Sequence, residues 1–225
     1  MARISLTGRF DDAVIGAWHE PVQDARRGGL VLCQEIFGVT DHIRELAAGF
    51  AADGYEVIAP SFYDRLEPGF ECDYSQASVA KGVEYSQATP WDQVAGDLQT
   101  AVDALQGPVF VVGYCWGGTA AWLAACLCSG VTAASCYYGR RISEMQALVP
   151  RCPTILHYGK TDASIPMETV DALAELHPDL AIYRYDAGHG FNSDRRKDYD
   201  ADSARLARLR TLALFHRAGG AKGEV

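Results

Sequence analysis

Positive charge is scarce in this chain: 20 Lys and Arg stand against 29 Asp and Glu in 225 residues, a formal net charge of −9. A net-negative surface repels phosphate backbones and anionic headgroups, so neither nucleic acid nor membrane is an expected partner. The local basic runs, Arg140-Arg141 and Arg195-Arg196-Lys197, are too short to reverse that. Long hydrophobic runs are also lacking. The longest strongly apolar stretch, Ala120 to Cys128, falls well short of the ~18 to 20 residues that cross a bilayer. Met1 to Asp12 carries scattered charges and no apolar h-region, so a cytoplasmic location is expected rather than secretion. No C-x-x-C pair or matching His spacing points to zinc, and the seven cysteines fall mostly inside apolar runs. That placement favours buried or reactive thiols over a disulfide framework. Internal repeats and low-complexity linkers are missing too, and with 48% hydrophobic residues the length fits one globular domain.

Extended apolar runs alternate with helical patterns almost from end to end. Gly29 to Cys33, Tyr55 to Ala59, Val109 to Gly113, Thr132 to Tyr138, Thr154 to Tyr158 and Ala181 to Tyr185 read as strands. Most are apolar on both faces, as strands covered by helices on each side must be. Asp41 to Ala52, Pro90 to Leu105, Trp116 to Cys128, Met167 to Leu176 and Asp198 to His216 read as helices, with Thr40 or Asp41 opening the first and Gly54 closing it. Ile4 to Leu6 and Ala13 to Trp18 fit a hairpin at the sheet edge. The expectation is a single α/β domain over residues 1–218, mostly parallel with helices on both faces, and a flexible tail from Gly219 to Val225.

In a parallel sheet the functional loops follow the carboxyl ends of the strands. Gly113-Tyr114-Cys115-Trp116-Gly117-Gly118 follows one strand and opens a helix, the setting of a nucleophile elbow with Cys in place of Ser. Glycines flank the nucleophile because strand and helix approach closely at a strained turn. The helix amino terminus supplies free N–H groups and a positive dipole end, which favour a thiolate and an oxyanion. Asp162 and His189 each sit just beyond a strand end and complete the α/β-hydrolase order of nucleophile, acid, then His. Taken alone, an Asp in a polar turn is usually a cap and a lone His usually structural. Three residues of the right types and order assign Cys115 as nucleophile, His189 as general base and acid, and Asp162 as its orienting partner. Glu35, beside apolar Ile36 and Phe37, is placed where desolvation favours a neutral carboxyl. The Trp116 and Ile36 N–H groups are the candidate oxyanion donors.

Gln34-Glu35-Ile36-Phe37-Gly38, the elbow, Tyr137-Tyr138-Gly139 and Ala187-Gly188-His189-Gly190-Phe191 together resemble the dienelactone hydrolase family, over about Gly28 to Phe215. The resemblance implies a Cys-His-Asp triad at Cys115, His189 and Asp162 that hydrolyses an enol-lactone, carboxymethylenebutenolide, in aromatic-compound catabolism. It also implies that Glu35 contacts the resting thiol and helps generate the thiolate, and that no metal or organic cofactor is needed. One departure concerns the two arginines that hold the substrate carboxylate in the family. The segment Ser75 to Ser86 offers only Lys81, and the position four residues after His189 is Ser193. Arg140, with Lys81 or Arg141 in support, is the candidate replacement, because it follows the strand next to the elbow.

The resulting expectation is a cofactor-free cysteine hydrolase of an anionic small-molecule lactone or activated ester, acting through a thioester, as a monomer or homodimer. A broad small-ester carboxylesterase is the enzymatic alternative. A redox-sensing thiol protein is the alternative from another class, and the presence of both Asp162 and His189 argues against it, since a sensor needs no general acid.

Overall fold

The computed structural model describes residues 1–9, 11–22 and 25–220. The chain opens with β1 (Ala2–Thr7) and β2 (Val14–Glu20), the antiparallel hairpin expected at the sheet edge. Then follow β3 (Gly28–Cys33), α1 (Asp41–Ala52), β4 (Tyr55–Pro60), α2 (Gln76–Ala88), α3 (Trp91–Asp103), β5 (Val109–Tyr114) and α4 (Trp116–Leu127). The carboxyl half contains β6 (Val131–Tyr137), β7 (Thr154–Gly159), α5 (Met167–Leu176), β8 (Ala181–Tyr185) and α6 (Ala201–Phe215). The strands form one sheet in the order β1-β2-β4-β3-β5-β6-β7-β8, parallel from β4 to β8.

Burial explains which runs became strands. Every residue of β3, β5 and β7 is buried, as the continuous apolar runs require when helices cover both faces. On one face α3 packs beside α4. On the other, Arg208 of α6 lies over Phe50 of α1 and pairs with Asp53, while Phe215 stacks on Phe110 of β5. Among the described residues no helix is long and apolar enough to cross a membrane.

The structure departs from the sequence expectations at several elements. Helix α2 was not expected; it buries only Gly82 and Tyr85, so its sequence shows no apolar stripe. A 3-10 turn, Arg140–Met145, follows β6. Helix α6 starts at Ala201 rather than Asp198, because the Asp200 carboxylate caps it by accepting from Ser203 N at 2.7 Å. At the carboxyl terminus α6 is followed by a short segment, His216–Gly220, that kinks at Gly219 (φ 127°), the first residue of the expected tail. Residues 221–225 of that expected tail lie outside the described residues.

Candidate active site

Strand β5 ends at Tyr114 and α4 begins at Trp116, which leaves Cys115 alone to turn the chain. Its backbone sits at φ 58° and ψ −118°, a conformation that costs a non-glycine residue about 1–3 kcal/mol. The flanking glycines are steric requirements. A Cβ on Gly113 would lie 1.8 Å from the Gly117 carbonyl oxygen, and one on Gly117 would lie 2.3 Å from that of Gln34. The turn is held by Cys115 N donating to Tyr137 O at 3.0 Å and Gly118 N donating to Cys115 O at 2.9 Å. The thiol therefore stands at the N-cap of α4, where helical N–H groups lack partners inside the helix.

Three strand ends bring the expected triad residues together. His189 Nε2 lies 3.2 Å from Cys115 Sγ, and His189 Nδ1 lies 2.6 Å from Asp162 Oδ2. The other carboxylate oxygen of Asp162 accepts from Ser164 N at 2.8 Å and from Ser164 Oγ at 2.6 Å. Burial alone would favour neutral imidazole, but the Cys115 sulfur and the Asp162 carboxylate outweigh it and push the His189 pKa up to about 10. Burial would likewise raise Asp162, yet its bonds from His189 and Ser164 hold it below its ordinary value. The Tyr138 ring sits edge-on to the imidazole at 5.2 Å and itself packs edge-on to Phe191 at 5.3 Å.

Glu35 follows β3 and is 1% exposed, but it is not surrounded by apolar groups alone. Its Oε2 accepts from Tyr74 OH at 3.1 Å, and its Oε1 lies 3.5 Å from Arg196 Nη1. Tyr74 is itself fixed by Phe37, whose ring lies 4.4 Å away. Burial disfavours the Arg196 cation, yet Glu35 and Cys115 nearby raise its pKa above the ordinary value. Among the described residues the hydrogen bonds of Glu35 run to Tyr74 and Arg196, and that of the thiol to His189. The thiol contact implied by the resemblance is not one of them.

A cleft of about 540 Å³ opens at the thiol, lined by Ile36, Trp116, Arg140, Arg141, Ser164, His189 and Arg196, among others. Ile36 and Trp116 thus both line the cleft. Trp116 is the first residue of α4, so its N–H lies outside the helix ladder, and its indole is wedged against Phe62, Tyr63 and Trp91. Arg140 is exposed at the rim, and its side chain has no ion pair among the described residues. Arg141 pairs with Glu144 at 2.7 Å. Lys81 is not a cleft residue: its ammonium lies 4.3 Å over the Tyr85 ring and 3.3 Å from Glu84.

The main cation missed in the sequence is Arg196. It lies three residues beyond Ser193, which is fully buried instead. Two successive turns, Ser193 N to Gly190 O and Arg196 N to Ser193 O, fold the chain back and carry the guanidinium into the cleft. The Arg195-Arg196-Lys197 run was the available signal, and spacing from His189 was a poor guide to it. Ser164 and Tyr74 left no such signal. Away from the cleft, His42, Glu45 and Asp194 place potential ligand atoms within 4.8 Å of one another. The Arg195 guanidinium already bridges both carboxylates, at 2.7 Å and 2.6 Å.

The model of the dienelactone hydrolase family matches residues 15–219. A carboxymethylenebutenolidase of Pseudomonas putida is 31% identical over 216 residues, covering 90% of this chain and 91% of its own. A solved Klebsiella pneumoniae structure, described as a candidate dienelactone hydrolase, superposes with a TM-score of 0.81 at 28% identity over 96% of this chain and 98% of its own. The fold is shared, at 19% identity and a TM-score of 0.76, with a dienelactone hydrolase-like promiscuous phosphotriesterase from metagenomic libraries, over 96% of this chain and 98% of that one.

Proposed function

The chain belongs to the dienelactone hydrolase family, and from that premise we propose that it hydrolyses a lactone or activated carboxylic ester with Cys115 as the nucleophile. The observation that carries this reading is the unbroken chain from Asp162 Oδ2 to His189 at 2.6 Å and from His189 to Cys115 Sγ at 3.2 Å, at the mouth of a cleft.

The steps follow from these positions. His189 holds the proton drawn from the thiol, and the sulfur adds to the substrate carbonyl. The oxyanion that forms is held by the N–H groups of Ile36 and Trp116. Collapse of the tetrahedral adduct breaks the carbon–oxygen bond, and imidazolium His189 gives its proton to the departing oxygen. The product of this half is a thioester on Cys115. Water, deprotonated by His189, then attacks the thioester and releases the carboxylic acid and the free thiol. Asp162 holds Nδ1–H throughout and stabilises the imidazolium, while Ser164 holds Asp162. A thiolate leaves more readily than an amine or an unactivated alkoxide, so enol lactones and aryl esters are better substrates than amides.

An anionic group on the substrate fits Arg140 at the rim, which has no ion pair among the described residues, with Arg196 deeper in the cleft. Arg196 is tied to Glu35, so an incoming carboxylate that recruits this guanidinium would free Glu35 to act on the thiol. The test is acyl-enzyme trapping. Mass spectrometry after mixing with p-nitrophenyl acetate should find one acetyl group on Cys115, and iodoacetamide pretreatment should remove both that adduct and turnover. Full turnover by the alkylated protein would refute the nucleophile.

A further inference from the structure

We propose that the α2 side of the cleft is an apolar acyl subsite, so that the preferred substrate carries a hydrocarbon substituent of several carbons on its reacting carbonyl. This rests on the reading of Cys115 as nucleophile and adds a substrate class to it.

The argument begins with Gly82. A Cβ there would lie 2.5 Å from the carbonyl oxygen of Ile36, so only glycine lets α2 settle on the loop that supplies an oxyanion donor. Val79 and Val83 flank this contact at i and i+4, which places them on one face of the helix. They are 37% and 40% exposed, and both line the cleft that holds the thiol, next to Ile36. Single exposed valines are ordinary. Two that continue an apolar wall to a reactive sulfur form a surface that gains when a hydrocarbon covers it.

Strand order decides which part of the substrate meets this wall. Ile36 follows β3, on one side of β5; Asp162 and His189 follow β7 and β8, on the other. The leaving oxygen must lie beside its proton donor, His189. The acyl substituent is therefore directed away from His189, towards Ile36 and α2. The charged rim, Arg140 and Arg141, follows β6 and belongs to the leaving-group side. One molecule can accordingly carry an anionic leaving portion and an apolar acyl portion.

The experiment compares kcat/KM for p-nitrophenyl acetate, butyrate and hexanoate. Each added methylene that reaches the wall should raise kcat/KM about two- to fourfold, giving a hexanoate-to-acetate ratio of at least about tenfold. The paired substitution Val79→Ser and Val83→Ser should pull that ratio to about twofold or less, and Val83→Leu should raise it above wild type. A wild-type ratio near one, or an unchanged ratio in the paired variant, overturns the subsite while leaving the hydrolase intact. Ester turnover that survives Cys115→Ala, or none at all in wild type, would instead overturn the underlying nucleophile reading.

Discussion

At the residue scale, Cys115 as the proposed nucleophile is the position where chemistry and stability should separate most cleanly. It is half-buried on a strained turn, and its sulfur adds little to the core. Cys115→Ala should lower kcat for an aryl ester by about a thousandfold or more while stability changes by less than ~1 kcal/mol. Circular dichroism melts and steady-state rates decide this, and turnover within tenfold of wild type contradicts it. Cys115→Ser should be nearly as poor, because a hydroxyl ionises far less readily than a thiol. Glu35→Gln should keep the bond from Tyr74 but lose the charge facing Arg196. The expected result is a displaced pH profile for iodoacetamide alkylation of Cys115, read at that residue by mass spectrometry; an unchanged profile with unchanged activity would leave Glu35 without a mechanistic part. Cys115, Asp162 and His189 were legible in the sequence because each lies in the short turn that follows a strand, where a local motif records position. Arg196 and Tyr74 were not, since loop turns that no motif encodes carry them to Glu35.

At the scale of elements, legibility followed burial. The strands β3, β5 and β7 were readable as unbroken apolar runs, whereas α2 meets the body of the protein mainly through Gly82 and Tyr85 and left no periodic pattern. A second feature hidden from the sequence joins β6, β7 and β8 to α6 through polar groups. His157 Nδ1 lies 2.7 Å from Tyr185 OH and its Nε2 lies 3.1 Å from Ser135 Oγ, while Thr211 of α6 meets both Ser135 and Tyr137 at 2.8 Å. Burial, reinforced by Arg210, drops the His157 pKa from 6.5 to about 3. Between those values the unfolded chain binds a proton that the native state excludes, so His157 makes stability fall as pH is lowered through this window. Urea titrations at pH 7 and pH 4.5 should show the decline, and His157→Gln should flatten it while costing about 1–3 kcal/mol at pH 7 through the hydrogen bonds lost to the Tyr185 and Ser135 hydroxyls. An equal pH slope in the variant would remove His157 from the account.

On the scale of the whole molecule, a net charge of −9 sets the condition for any anionic substrate. At long range the protein repels it, so capture depends on cations at the cleft itself, within the ~10 Å over which 0.1 M salt leaves charges visible. The cleft cations are not equivalent. Arg141 is neutralised by Glu144 and Arg196 by Glu35, while Arg140 has no ion-pair partner among the described residues. Its guanidinium can therefore take a carboxylate in bidentate fashion without first breaking another pair. Arg140→Met keeps much of the side-chain length and removes the charge together with its N–H donors. It should lower kcat/KM for an anionic lactone about tenfold or more and affect p-nitrophenyl acetate far less, because an anchor remote from the scissile bond acts only on substrates that carry the anion. Salt supplies an independent check. Raising ionic strength from about 20 to 300 mM should reduce wild-type kcat/KM for the anionic lactone, and the reduction should shrink in Arg140→Met. If both substrates lose equally, or salt acts alike on wild type and variant, Arg140 is a solvated surface arginine and the enzyme is a neutral-ester hydrolase.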